Sequence, residues 1–167
     1  MANNDYRPKP TGESIERIWE LAEDMRTCML VTRDGSRYAA RPMSAHVKRD
    51  SHAIFFLDKT NSEKEHQIAQ SPEVLLSFAD NGGNKYISLR GRAVVTNDRA
   101  LIKELWTPFY KAWWDSENDP DIRVITFTPD EGELWDGLNN IMATGAMMVS
   151  AVTGAKPNLG ENAKVDL

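Results

Sequence analysis

The stretch CMLVTRDGSRYAARPMSAHV, residues 28–47, decides how the rest of the chain is read. Its apolar run from Cys28 to Arg33 has strand composition, and Asp34-Gly35 is a two-residue hairpin signal because both central positions of a type I′ turn need positive φ. The returning strand, from about Arg37, places Tyr38, Ala40, Pro42, Ser44 and His46 on one face and Ala39, Arg41, Met43, Ala45 and Val47 on the other. Pro42 has no amide hydrogen. It therefore belongs at a sheet edge or a bulge, where neighbouring backbone groups are left free to face something other than a strand.

Downstream, FFLDKTNSEKEHQIAQSPEVLLSF spans residues 55–78. Ala53 to Leu57 reads as a third strand, and Ser62-Glu63-Lys64-Glu65 matches a capping box that opens a helix from Glu63 to Ala69. Unpaired amide groups and the positive end of the helix dipole make such a start a plausible phosphate cradle, to which Lys64 adds a full charge. The plainer alternative is an ordinary capped helix with a solvated lysine. A fourth strand follows from Val74 to Asp80.

Upstream, Ile15, Ile18, Trp19, Ala22 and Met25 fall on one face of a helix beginning near Ser14. Residues 1–12 form a loose arm with two prolines. Beyond the turn cluster Asn81-Gly82-Gly83, Tyr86 to Thr96 is a long strand whose internal Gly91 marks a bulge or barrel corner. Asn97 or Asp98 then caps a helix running through Trp106. Trp106, Trp113 and Trp114 cluster around Pro108, as core, dimer contact or ligand contact. Arg123 to Thr128 and Glu133 to Trp135 read as two further strands separated by a turn at Pro129–Gly132. Asn139 to Val152 has helical composition, and Thr153 to Leu167 looks irregular. Six or seven short antiparallel strands with flanking helices predict a mainly β, α+β fold, a small β-barrel. The expected organisation is a barrel domain over 13–137 and a C-terminal helix and tail over 138–167, packed on the barrel or on a partner subunit.

A net charge of −5 argues against nucleic-acid binding, which needs a basic face. Charge is uneven all the same: residues 26–49 hold six Lys/Arg and one acid, so a small anion could be received there. The single Cys28 suits a reducing compartment, and no apolar leader or membrane span is evident, so a cytoplasmic protein without membrane attachment is expected. Dinucleotide and P-loop glycine fingerprints are absent, as is a GxSxG nucleophile turn. His46, His52 and His66 lack metal-ligand spacing, and no metal is expected. With no self-sufficient acid, base or nucleophile, the chain either only binds a ligand or takes its reactivity from a cofactor. No residue is singled out as catalytic.

The order MLVTRDG, RPM, FFLD, SEK, YISLRGRAVV, a tryptophan-containing helix and ELWDG is similar to that of the pyridoxamine 5′-phosphate oxidase-like family of FMN-binding split barrels, and within it to the general stress protein branch. The resemblance implies a homodimer with flavin, FMN first and FAD second, at the subunit interface. It places Arg41 on the phosphate, Pro42 and Met43 along the ring, and Leu57 and Asp58 beside the phosphate loop. Ser62 and Lys64 complete the phosphate site, Tyr86 reaches in from the second subunit, and Trp135 lies near the flavin edge. Asp58 stands where the family commonly has a hydroxyl, and must point away or pair with Lys59 or Lys64 to be compatible with a phosphate. No Lys, Arg or His occurs between Arg123 and Lys156, so the basic run of pyridoxine phosphate oxidases is missing and vitamin B6 oxidation is not expected. The implied function is a flavin-dependent oxidoreductase, with NAD(P)H as a candidate reductant. A flavin carrier or sensor, or a barrel holding another planar ligand such as haem, is the alternative.

Overall fold

A computed structural model of the protein describes residues 12–137 and 160–167, together with positions 148, 151 and 154. The chain begins with helix α1 (Gly12–Met25), continues through strands β1 (Thr27–Asp34), β2 (Arg37–Ser44), β3 (His46–Lys48) and β4 (Ala53–Lys59), and then forms helix α2 (Glu63–Gln70). Strands β5 (Glu73–Asp80) and β6 (Lys85–Thr96) precede helix α3 (Arg99–Leu105) and a 3₁₀ turn at Pro108–Ala112. A long strand β7 (Ile122–Gly137) and strand β8 (Gly160–Asp166) complete the described elements. The fold is a β-rich α+β arrangement in which one antiparallel eight-stranded sheet runs β2-β1-β5-β6-β7-β4-β3, with β8 added on β7.

The ladder is not closed. Its two end strands, β2 and β3, are consecutive in the chain and separated by Ala45, whose amide bonds instead to the carbonyl of Arg26 at 2.7 Å. Edge position suits β2, because Pro42 can donate no ladder hydrogen bond. Bonded on one side only, β2 keeps backbone groups free for another partner.

Alternation sorts the side chains into two cores. Leu30, Leu76, Leu89, Ile125 and Phe127 point inward and meet Ile18, Trp19 and Ala22 of α1, the face that the helical spacing predicts. β4 is buried on both faces. Ile54 and Phe56 enter the same interior, whereas Ala53, Phe55 and Leu57 enter a second cluster beneath α3 and the Pro108–Ala112 turn. Trp106 and Trp114 pack against that second cluster, and Trp113 remains exposed beside Phe109.

Several expectations change. The β1–β2 loop residues are Gly35 and Ser36, one later than expected, because Asp34 pairs with Arg37. Only Gly35 of the two has positive φ, at 60°, which fits a Gly-X type II′ loop and not the I′ turn expected of Asp34-Gly35. The supposed turn at Pro129–Gly132 is a bulge inside one continuous β7: Arg90 pairs with Glu131 and Gly91 with Pro129, leaving Asp130 as the extra residue. A Cβ on Gly91 would stand 2.1 Å from the Thr128 carbonyl oxygen, so the strands approach this closely only because position 91 is glycine. The tail expected to be irregular forms β8, burying Ala163 and Val165. The helix expected over Asn139–Val152 lies outside the described residues, apart from the helical positions 148 and 151.

Candidate functional site

Arg41 lies on the inward side of β2, opposite Leu30, and reaches the start of α2. Its orientation comes from two residues that the sequence reading did not single out. Nη1 donates to the Thr32 hydroxyl at 2.6 Å and Nη2 to the Gln67 side-chain oxygen at 2.8 Å, while Thr32 donates to that same oxygen at 2.6 Å. Thr32 and Gln67 are buried, so this ring of three hydrogen bonds holds the guanidinium in a fixed plane. The period-2 pattern of Cys28, Leu30 and Thr32 does place a hydroxyl inward, and that was the available signal. Three further N–H groups of Arg41 are not used by this ring. Glu63 stands 3.7 Å from Nη2 on the solvent side.

Ser62 is the N-cap of α2 and accepts from the amide of Glu65 at 3.1 Å. The capping box is only half formed, since Glu65 turns its carboxylate to the amide of Asn61 at 2.5 Å. The hydroxyl hydrogen of Ser62 goes to Asp58 Oδ2. Asp58 Oδ1 lies 3.0 Å from Lys64 Nζ, and Asp58 is only 6% exposed. Asp58 therefore pairs with Lys64, not Lys59. The start of α2 thus gathers Arg41 from β2, Asp58 from β4, and its own Ser62 and Lys64. The first-turn amides of Glu63 and Lys64 have no acceptor within the helix.

The remaining candidates lie elsewhere. Pro42 faces outward and is exposed, and Met43 packs on the main core. Leu57 points into the cluster beneath α3, away from its neighbour Asp58. Tyr86 and Trp135 oppose one another in the β6–β7 register, on the face opposite to Ile87 and Leu134 of the core. They lie on the outer face of the sheet, whereas Arg41 lies on the inner one. Among the described residues no group of three or more His, Cys, Asp or Glu could hold a metal ion, and no helix is long and apolar enough to cross a membrane.

The model of the family described as pyridoxamine 5′-phosphate oxidase like matches residues 13–158. The chain belongs to that family. General stress protein 26 of Bacillus subtilis (strain 168) is 25% identical over 90 residues, a match that covers 52% of this chain and 64% of the Bacillus protein. A crystal structure described as general stress protein 26 from Jannaschia sp. CCS1 superposes with a TM-score of 0.78 at 26% identity, over 94% of this chain and 100% of that one. The general stress FMN/FAD binding protein of Xanthomonas citri gives a TM-score of 0.67 at 27% identity, over 78% and 92% of the two chains. Family membership thus agrees with the order of motifs along the chain.

Proposed function

We propose that the protein binds a flavin, FMN in the first place and FAD in the second, with its phosphate at the start of α2. The observation that carries this reading is the convergence of Arg41 and Lys64 on one helix N-terminus beside the free edge of β2. Two cations, first-turn amides and a helix dipole form a donor set suited to a phosphate. The fit is conditional on Asp58, which already holds the hydroxyl hydrogen of Ser62 and one N–H of Lys64. Lys64 keeps two further N–H groups and Arg41 three, so donors remain available. A family relative described as an FMN/FAD binding protein supports the choice of ligand.

In this reading Arg41 and Lys64 bind and orient the phosphate, and the free backbone edge near Met43 lines the ring. Bound flavin supplies hydride-transfer chemistry at its N5 position, and the protein supplies position and electrostatics. The expected activity is that of an oxidoreductase reduced by NAD(P)H. We further propose a homodimer as the functional unit, because Tyr86 and Trp135 face away from Arg41 in one chain and reach a flavin on that side only from a second copy.

Fluorescence titration with FMN tests the binding. Arg41→Ala and Lys64→Ala are each expected to weaken FMN by about 1 to 3 kcal/mol, the scale of a lost charge-assisted hydrogen bond. Unchanged affinity in both variants would refute the phosphate assignment. Stopped-flow bleaching of bound flavin by NAD(P)H, faster than that of free FMN, separates a reductase from a carrier.

A further inference from the structure

A cleft of about 580 Å³ opens between the end of α1, the β2–β3 bend and the Pro108–Ala112 turn. His46 and Tyr110 line it, hydrogen-bonded to each other through the imidazole Nε2 and the phenol oxygen, with ring centroids 5.7 Å apart. Burial, with a smaller contribution from Lys48, lowers the pKa of the imidazole, and burial raises the Tyr110 hydroxyl to about 12. Both groups are therefore neutral at neutral pH. A neutral pair sharing one hydrogen bond leaves one proton over, on Tyr110 if His46 donates and on Nδ1 of His46 if Tyr110 donates. That proton is available to a ligand.

The charged groups of the wall are Arg26, Lys48 and Glu23. Lys48 is held by Glu104 at 2.9 Å. The Arg26 guanidinium makes no hydrogen bond or ion pair among the described residues. Its backbone has φ of 56° just past α1, a left-handed position where glycine is the usual occupant. Backbone strain retained at a residue whose side chain has no partner among the described residues directs attention to a partner outside them. Phe109, 59% exposed, presents its ring at the same cleft. An apolar ring surface with a few convergent polar groups is the ordinary make-up of a small-molecule site.

We propose that this cleft binds a small aromatic carboxylate, with Arg26 on the acid group, Phe109 and Tyr110 on the ring, and the His46–Tyr110 pair donating one hydrogen bond. A guanidinium grips a carboxylate in two-pronged fashion, and aromatic rings take an offset or edge-on partner. The proposal is independent of flavin binding and involves no covalent step.

Calorimetric titration of the full chain with 4-hydroxybenzoate, benzamide and acetate tests it. Saturable binding of 4-hydroxybenzoate is expected, with benzamide and acetate each weaker by about tenfold or more. Arg26→Gly relieves the left-handed strain, so its melting temperature should hold or rise while 4-hydroxybenzoate weakens by about tenfold. Phe109→Ala should weaken the ligand as well. Absence of saturable binding up to about 10 mM, or equal binding by the wild type and Arg26→Gly, overturns the proposal. Loss of FMN binding in separate titrations would leave this site untouched, which keeps the two readings distinguishable.

Discussion

The carboxylate of Asp58 takes the hydrogen of Ser62 and lies 3.0 Å from Lys64, so an incoming phosphate meets a lysine that is already partly neutralised. Asp58→Asn keeps an acceptor for Ser62 but removes the like charge, and should tighten FMN by about 1 to 2 kcal/mol on the Coulomb scale of partly buried groups. The same change breaks the pairing with Lys64, so the flavin-free protein should melt at a lower temperature. Opposite movements of affinity and melting temperature are the readout, and a parallel fall in both would contradict it. His46 provides a pH test. Its folded-state pKa is lowered by burial, so its neutral form contributes stability that is full above the usual value near 6.5 and is lost as the pH falls. Thermal melts between about pH 5 and pH 8 should show an acid limb that His46→Gln flattens. Residues differ in how far the sequence reveals them. Ser62 and Lys64 stand out through a helix cap, which is local, and Arg41 through the resemblance of the motif order. Thr32 and Gln67 gain their role only when β1, β2 and α2 meet, and the His46–Tyr110 pair joins positions 64 residues apart.

Elements show the same division between local and distant causes. The faces of α1 and β2, the cap of α2 and the bulge at Gly91 were legible because each follows from a period or a single residue's backbone chemistry. Pro129-Asp130-Glu131-Gly132 has turn composition, yet the opposing β6 continues past it and absorbs the irregularity as one extra residue. Strand β8 carries too little apolar alternation to declare itself, since among its described side chains only Ala163 and Val165 are buried. The bulge gives an element-level prediction. Gly91→Ala places a methyl 2.1 Å from the Thr128 carbonyl oxygen and 2.7 Å from the Pro129 Cα, both backbone atoms that cannot swing aside. A loss of about 3 kcal/mol or more is expected in denaturant titration, at the upper end for an overpacked site. Conversion of Ser88, on the same strand, to Ala serves as the control and should cost far less.

At the scale of the whole molecule, the fold class was readable from the density of short strands and turns, while the open ladder was not, because it depends on the break at Ala45. The outer face carries Met29, Tyr38, Tyr86 and Val94 as exposed apolar side chains. The proposed dimer is expected to appear at twice 18.8 kDa in native mass spectrometry. Tyr86→Ala should weaken FMN without touching the Arg41 cluster of its own chain. A monomer that still binds FMN tightly would remove the two-subunit assignment.

Because β2 and β3 are one stretch of chain serving both ends of the ladder, the order of assembly is constrained. The β1–β2 and β5–β6 hairpins are local and can form early, whereas β4 must wait for β7, pairing Ile54 with Phe127 across the intervening α2, β5, β6 and α3. That pairing carries the largest loop-closure entropy, so it is the natural barrier to folding. Until it forms, the double-sided apolar strand β4 is uncovered on both faces. The slowest step in reaching the native state is thus also the step that buries its most aggregation-prone segment.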